Sequence, residues 1–174
     1  MATYLRRATL KDVPAIMAII DQAKAFLKEN GNPQWQDGHP SATVIKSDIR
    51  KGYGWVLVAD DQIVATAALQ LAGEKNYDDI KDGKWAKPDE PYAIIHRAAV
   101  LRDTGKKGVG SALFSNLITV GHLQGVRNFR FDTHQKNIPM QKLGEGLGFV
   151  RRGTVYIEDK TDDKHLGFEL NLAD

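Results

Sequence analysis

Apolar residues recur along this chain with two periods, and the switches between them predict an order of elements. Residues 3–7 read as a short edge strand. Thr9 and Asp12 then stand as cap and acidic first turn of a helix carrying Val13, Ile16, Met17, Ile20, Ala23 and Leu27 on one face, ended by Gly31. Ser41 caps a second helical pattern, Val44, Ile45 and Ile49, which Gly52 ends. Residues 53–59 and 63–71 read as strands flanking a short Asp60-Asp61-Gln62 turn, hence a hairpin. Residues 73–90 are polar and charged, with Tyr77, Ile80 and Trp85 scattered through them, and read as a loop with at most one helical turn. A strand over 92–100 leads into a helix over 109–123 with Val109, Leu113, Leu117 and Val120 on one face and Gly125 as its stop. Residues 127–134 read as a strand, 138–147 as a short helix, and 149–158 and 165–172 as two final strands. That order predicts an α/β (α+β) fold, a mixed sheet with helices on both faces, in a single domain over residues 1–174.

The segment Gly105-Lys106-Lys107-Gly108-Val109-Gly110-Ser111 joins the strand over 92–100 to the helix over 109–123. Glycines let backbone approach a ligand closely, and a helix start offers unpaired N–H groups and partial positive charge to a phosphate. Two known phosphate loops fail here. A Walker loop requires Lys and Ser or Thr after its last glycine, and Ser111-Ala112 stands there instead. A dinucleotide fingerprint requires a third glycine or alanine where Leu113 stands.

A third pattern fits. The loop resembles the cofactor loop of the GNAT superfamily of N-acetyltransferases, [QR]-x-x-G-x-[GA], with Gly108-Val109-Gly110 as its G-x-G and Gly105 where the usual Gln or Arg stands. Asn137, followed by a short helix and Gly148-Phe149, resembles the family's second signature. The resemblance covers residues 92–153 by motif and the first 90 residues by element order. It implies a mostly antiparallel central sheet whose two central strands splay to admit the arm of acetyl-CoA. It implies that Ala98, Ala99 and Val100 pair with that arm, and that backbone N–H groups of Gly105, Lys106, Lys107, Gly108, Val109, Gly110 and Ser111 hold the pyrophosphate. Asn137 would bond the arm, or cap its helix, or both. Lys106 and Lys107 would reach phosphates, or sit solvated in the loop.

Composition narrows the classes. The 174 residues hold 24 basic and 22 acidic side chains, a net charge of +2, too near balance to call for nucleic acid. No apolar run reaches membrane-span length, and no signal-peptide pattern opens the chain, so a cytoplasmic protein is expected. Without cysteine, thiolate metal sites and cysteine nucleophiles are excluded, and no histidine pairing suggests a metal. Family enzymes often form homodimers.

Acetyl transfer from coenzyme A to an amine needs a base for the acceptor, a donor for the developing oxyanion and a proton for the leaving thiolate. The family's usual acid is a Tyr in the helix of the second signature, and aligned through Asn137 and Gly148-Phe149 that position is Gly144. His96, sharing a strand face with Ile94 and Ala98 by alternation, is the first candidate base, against the plain reading of a half-buried strand histidine. His134, on the face of Asp132 at the next strand's end, is the second candidate. His39, His122 and His165 are expected on the surface. Trp35 and Tyr53 are candidates for the acceptor pocket, with loop anchoring as the plain alternative for Trp35. The expected function is an acetyl-CoA-dependent N-acetyltransferase acting on a small-molecule amine; the alternative is a non-catalytic acyl-CoA-binding module or sensor.

Overall fold

The computed structural model describes residues 2–157 and 164–173. Seven strands, β1 (Thr3–Arg7), β2 (Gly54–Ala59), β3 (Gln62–Gln70), β4 (Tyr92–Val100), β5 (Asn128–His134), β6 (Val150–Tyr156) and β7 (Lys164–Asn171), form one sheet in the order β1-β2-β3-β4-β5-β7-β6. The pairs β1–β2, β2–β3, β5–β7 and β6–β7 are antiparallel, and β4–β5 is parallel. The elements follow the predicted order: β1, α1 (Val13–Glu29), α2 (Ala42–Arg50), β2, β3, α3 (Lys75–Asp78), β4, α4 (Val109–Leu123), β5, α5 (Ile138–Gly146), β6 and β7. Glu158, the expected end of the sixth strand, lies outside the described residues. No helix among the described residues is long and apolar enough to cross a membrane. Contacts gather the chain into two compact units, Met1–Leu69 with His96–Leu117, and Gln70–Ile95 with Ile118–Asp174.

The first unit is built on α1 and α2. Ile16, Ile19 and Ile20 of α1 and Ile45 of α2 pack in one buried cluster with Val56, Val58 and Ala99 from the strands. A 3-10 turn, Leu10–Asp12, precedes α1. Asp12 closes it by accepting from the Thr9 amide at 2.7 Å and from both terminal nitrogens of Arg6 at 2.8 and 3.0 Å. The Ser41 hydroxyl accepts from the Val44 amide at the start of α2. Asp60 and Asp61, at φ 50° and 60°, make the two-residue turn between β2 and β3, whose twist demands positive φ at both positions.

The second unit is organised by the two faces of β5. Phe129 and Phe131 alternate with Arg130 and Asp132. Phe131 stacks on Phe168 at 4.9 Å and meets Phe149 edge-on at 5.0 Å. The helices over this face carry glycine where the rings lie. A Cβ on Gly121 would sit 2.5 Å from Phe129, and one on Gly144 would sit 2.4 Å from Phe131.

On the opposite face Arg130 lies between the rings of Trp85 and Tyr92, 4.2 and 3.8 Å from their centroids, and bonds Glu169 and the Lys87 carbonyl. Glu169, with no exposed surface, also accepts from Arg152 and from the Ala86 amide. Trp85 donates to the Tyr77 carbonyl at 2.8 Å and lies on Gly167, where a Cβ would come within 2.9 Å of its ring. Lys81 bridges to Thr154. The segment expected to be a polar loop is therefore laid down along the sheet, with α3 as its single helical turn.

Two predictions follow from this packing. Arg6, then the Thr9 amide, hold the Asp12 carboxyl well below the usual range, at about 2. The folded value is depressed, so the stabilisation is full above about pH 4 and is lost as pH falls toward the folded value. Asp12→Asn should cost about 1 kcal/mol at neutral pH, the half-exposed Arg6 limiting the gain, and urea midpoints of variant and parent should converge on acidification. Gly144→Ala should cost about 1–3 kcal/mol in the same measurement, because Phe131 must move to admit the methyl group.

Candidate active site

The connection from β4 to α4 runs over residues 101–108, exposed for most of its length. Gly105 and Gly108 adopt φ of 68° and 74°, and a Cβ on either would meet nothing within 4 Å. These glycines serve the left-handed turn of the chain and leave open space before it. The first bond into α4 runs from the Ala112 amide to the Gly108 carbonyl at 2.9 Å. The amides of Val109, Gly110 and Ser111 thus form the positive end of the helix, with no acceptor inside it. Val109, Leu113 and Leu117 are buried and fix this end against the core.

The two loop lysines differ. Lys106 pairs with Asp60 in the β2–β3 turn, and its hydrogen bond lowers the Asp60 carboxyl from its ordinary value. Lys107 is exposed and has no ion-pair partner among the described residues.

Ala98, Ala99 and Val100 lie in the last part of β4, with Ala99 buried in the α1–α2 cluster and the Leu101 amide donating to the Val64 carbonyl at 2.8 Å. Just before them Arg97 has φ 51°. A left-handed residue turns the strand over, so the alternation expected to place Ala98 on the face of His96 does not pass through it. His96 itself is half-buried. The Arg97 guanidinium makes two 2.7 Å bonds to the Asp48 carboxylate on α2. Sequence reading missed this pair, since nothing in an Arg within a strand and an Asp within a helix signals their meeting.

Trp35, with φ 64°, is half-buried and packs against the α1–α2 cluster. Tyr53 is half-buried where α2 hands over to β2, its amide donating to the Asp48 carbonyl at 2.8 Å.

In the second unit, β4 and β5 pair over Tyr92, Ala93 and Ile94 with Asn128, Phe129 and Arg130. At the far end of β5 the chain turns through Asn137, whose amide donates to the His134 carbonyl at 2.9 Å and whose side-chain oxygen caps α5 by accepting from Met140 at 3.4 Å. His134 is buried, and its Nδ1 accepts from the Lys136 amide at 3.1 Å, which places the proton of the neutral ring on Nε2. His165, expected on the surface, is instead buried opposite His134 across β5–β7, the rings 5.8 Å apart. Its Nδ1 lies 2.6 Å from Asp132, whose other oxygen accepts from the Tyr77 hydroxyl at 2.5 Å. Burial first, then the Asp132 charge, push the Tyr77 hydroxyl well above its ordinary value. The surface expectation failed because β7 pairs residue for residue with β5, and a strand-end histidine then meets whatever β5 presents. At Gly144, where the resemblance places a Tyr acid, a Cβ would come within 2.4 Å of the Phe131 ring, so any side chain there requires Phe131 to move. Among the described residues no three His, Cys, Asp or Glu side chains gather as metal ligands.

The acetyltransferase (GNAT) family model matches residues 20–149. No curated protein matches the chain. Among solved structures, a GNAT-family acetyltransferase from Streptococcus agalactiae is 31% identical with a TM-score of 0.90, over 99% of this chain and 96% of that one. A GNAT-family acetyltransferase from Listeria monocytogenes is 17% identical with a TM-score of 0.74, over 98% and 95% of the two chains. The PaiA N-acetyltransferase from Thermoplasma acidophilum, in complex with coenzyme A, is 15% identical with a TM-score of 0.70, over 98% and 99%. The last two show the fold; the first, with the family model, shows kinship. With its mixed, mostly antiparallel sheet and its glycine turn opening a helix, the chain belongs to the acetyltransferase (GNAT) family, enzymes that take the acetyl group from acetyl-CoA.

Proposed function

We propose that this enzyme acetylates the primary amine of a small molecule, holding acetyl-CoA on the backbone of β4 and the turn into α4. The observation that carries the reading is that turn. Two left-handed glycines face open space, and three helix-start amides follow them. This suits the pyrophosphate of coenzyme A, with Lys107 in reach of phosphate charge and Lys106 drawn from Asp60. Ala98, Ala99 and Val100 offer backbone groups to the amides of the cofactor arm, and Asn137 is assigned to that arm by its motif. The bound cofactor supplies the acetyl group as an activated thioester.

The acceptor side is assigned to Trp35 and Tyr53. The α1–α2 connection near Trp35 is tied to itself and to α1, Gln36 donating to the Lys24 carbonyl at 3.0 Å and Lys24 to the Pro40 carbonyl at 3.0 Å. A connection bound in this way supports a small acceptor over an extended peptide. His96 is assigned as the base that takes the amine proton, directly or through water, with His134 as the second candidate. With Gly144 in place of the family's tyrosine, the thiolate leaves without that acid.

Calorimetry should show saturable binding of acetyl-CoA, with ATP and NADH failing to bind. Lys107→Ala should weaken acetyl-CoA by about fivefold, the loss of one charge-assisted contact, and reduce the salt dependence of binding. Absence of acetyl-CoA binding would remove the turn from the site. In a free-thiol assay across a panel of primary amines, His96→Ala should lower kcat by about 100-fold or more with acetyl-CoA affinity unchanged; an unchanged kcat would remove His96 from the chemistry.

A further inference from the structure

Six described residues other than glycine have positive φ: Trp35, Asp60, Asp61, Asp82, Arg97 and Asp103. Four are aspartates, which enter the left-handed region more readily than most side chains, and Trp35 lies in a turn. Arg97 is the one within a strand. Its own preference is extended backbone, so the surroundings must hold it where it is.

Asp48 supplies the hold. Its carboxylate takes Nε and Nη2 of Arg97 at 2.7 Å each, a paired geometry that fixes the plane of the guanidinium as well as its position. The two side chains retain 16% and 10% of their surface, so water competes weakly for either. Asp48 is itself seated in α2, with the Tyr53 amide on its carbonyl. A small cavity borders the pair, lined by Ile16, Ile45, Ile49 and Thr66.

We propose that Asp48 is a positioning residue for the cofactor strand: by clamping Arg97 in the left-handed conformation, it sets the direction of the Ala98, Ala99 and Val100 backbone. The proposal rests on the reading that these residues hold the arm of acetyl-CoA. It gives α2 a part in the donor site, because a shift of α2 is transmitted through the clamp to the strand. Without the clamp, Arg97 relaxes toward extended backbone, and the peptide groups after it turn away.

Glycine separates this role from a direct one, since it takes positive φ without help while alanine does not. The experiment compares the parent, Asp48→Asn, and Asp48→Asn combined with either Arg97→Gly or Arg97→Ala. Acetyl-CoA affinity is measured by calorimetry, and the Ala98 and Ala99 amide resonances are measured without ligand. Asp48→Asn should weaken acetyl-CoA by about tenfold and shift both amides, the combination with Arg97→Gly should return to within about threefold of the parent, and that with Arg97→Ala should stay weak. Unchanged affinity and unshifted amides in Asp48→Asn would overturn the clamp. A glycine variant as weak as the alanine variant would also overturn it, giving the guanidinium a direct role. If the parent fails to bind acetyl-CoA, the cofactor reading falls, and the ligand-free amide positions still decide the clamp. Should Asp48→Asn fail to fold, Arg97→Gly and Arg97→Ala alone carry the same comparison.

Discussion

A carboxylate with no exposed surface governs the second unit. Glu169 stands in the middle of β7, and an ionised group there is tolerable only when its lone pairs are taken. Arg130 and Arg152 take them from neighbouring strands, and the Ala86 amide adds a third donor. The consequences spread outward from that charge. Arg130 needs cover, and Trp85 and Tyr92 provide it with their ring faces. Trp85 brings the segment after α3 with it and needs the bare Gly167 beneath. Tyr77, carried along, reaches Asp132, and Asp132 in turn holds His165. Ion pairing, aromatic cover and the orientation of a histidine thus form one connected arrangement.

The first unit is held differently. Its interior is aliphatic, and polar contacts serve the chain where it changes direction: Asp12 at the entry to α1, Ser41 at α2, two aspartates between β2 and β3. The exception is Arg97, where a charged pair works inside a strand. Arg97 takes a left-handed conformation within β4 that an arginine does not favour. The cost falls on local conformation, which the fold offsets with one well-formed ion pair.

Most of the fold was legible because it rests on short-range rules. Helical spacing placed α1 and α4, and α4 has the predicted ends. Ser41 and Gly52 marked the ends of α2 through capping chemistry that depends on a few neighbours. The glycine turn was legible for the same reason: a left-handed turn followed by a helix start is written in adjacent residues. What was lost is equally specific. His165 was expected on the surface because nothing beside it in sequence calls for burial, and its partner Asp132 is 33 residues away. Tyr77 and Trp85 read only as aromatics scattered through a polar loop, and nothing beside Trp85 in sequence ties it to the buried Arg130.

By itself, then, the sequence determined the order of elements, the turn that opens α4 and the kinship that the family signatures carry, since each is encoded within about one helical turn or strand length. Tertiary structure alone decided which charges meet. The pairs Arg97–Asp48, Arg130–Glu169 and His165–Asp132 join residues 49, 39 and 33 positions apart, and only strand pairing and helix placement bring them within reach. It also decided that Gly144 is crowded, because the ring that a side chain there would meet belongs to Phe131 on another element. Local chemistry is written in neighbours; the protonation, aim and steric limits of a site are set by groups that the fold, and not the chain, makes adjacent.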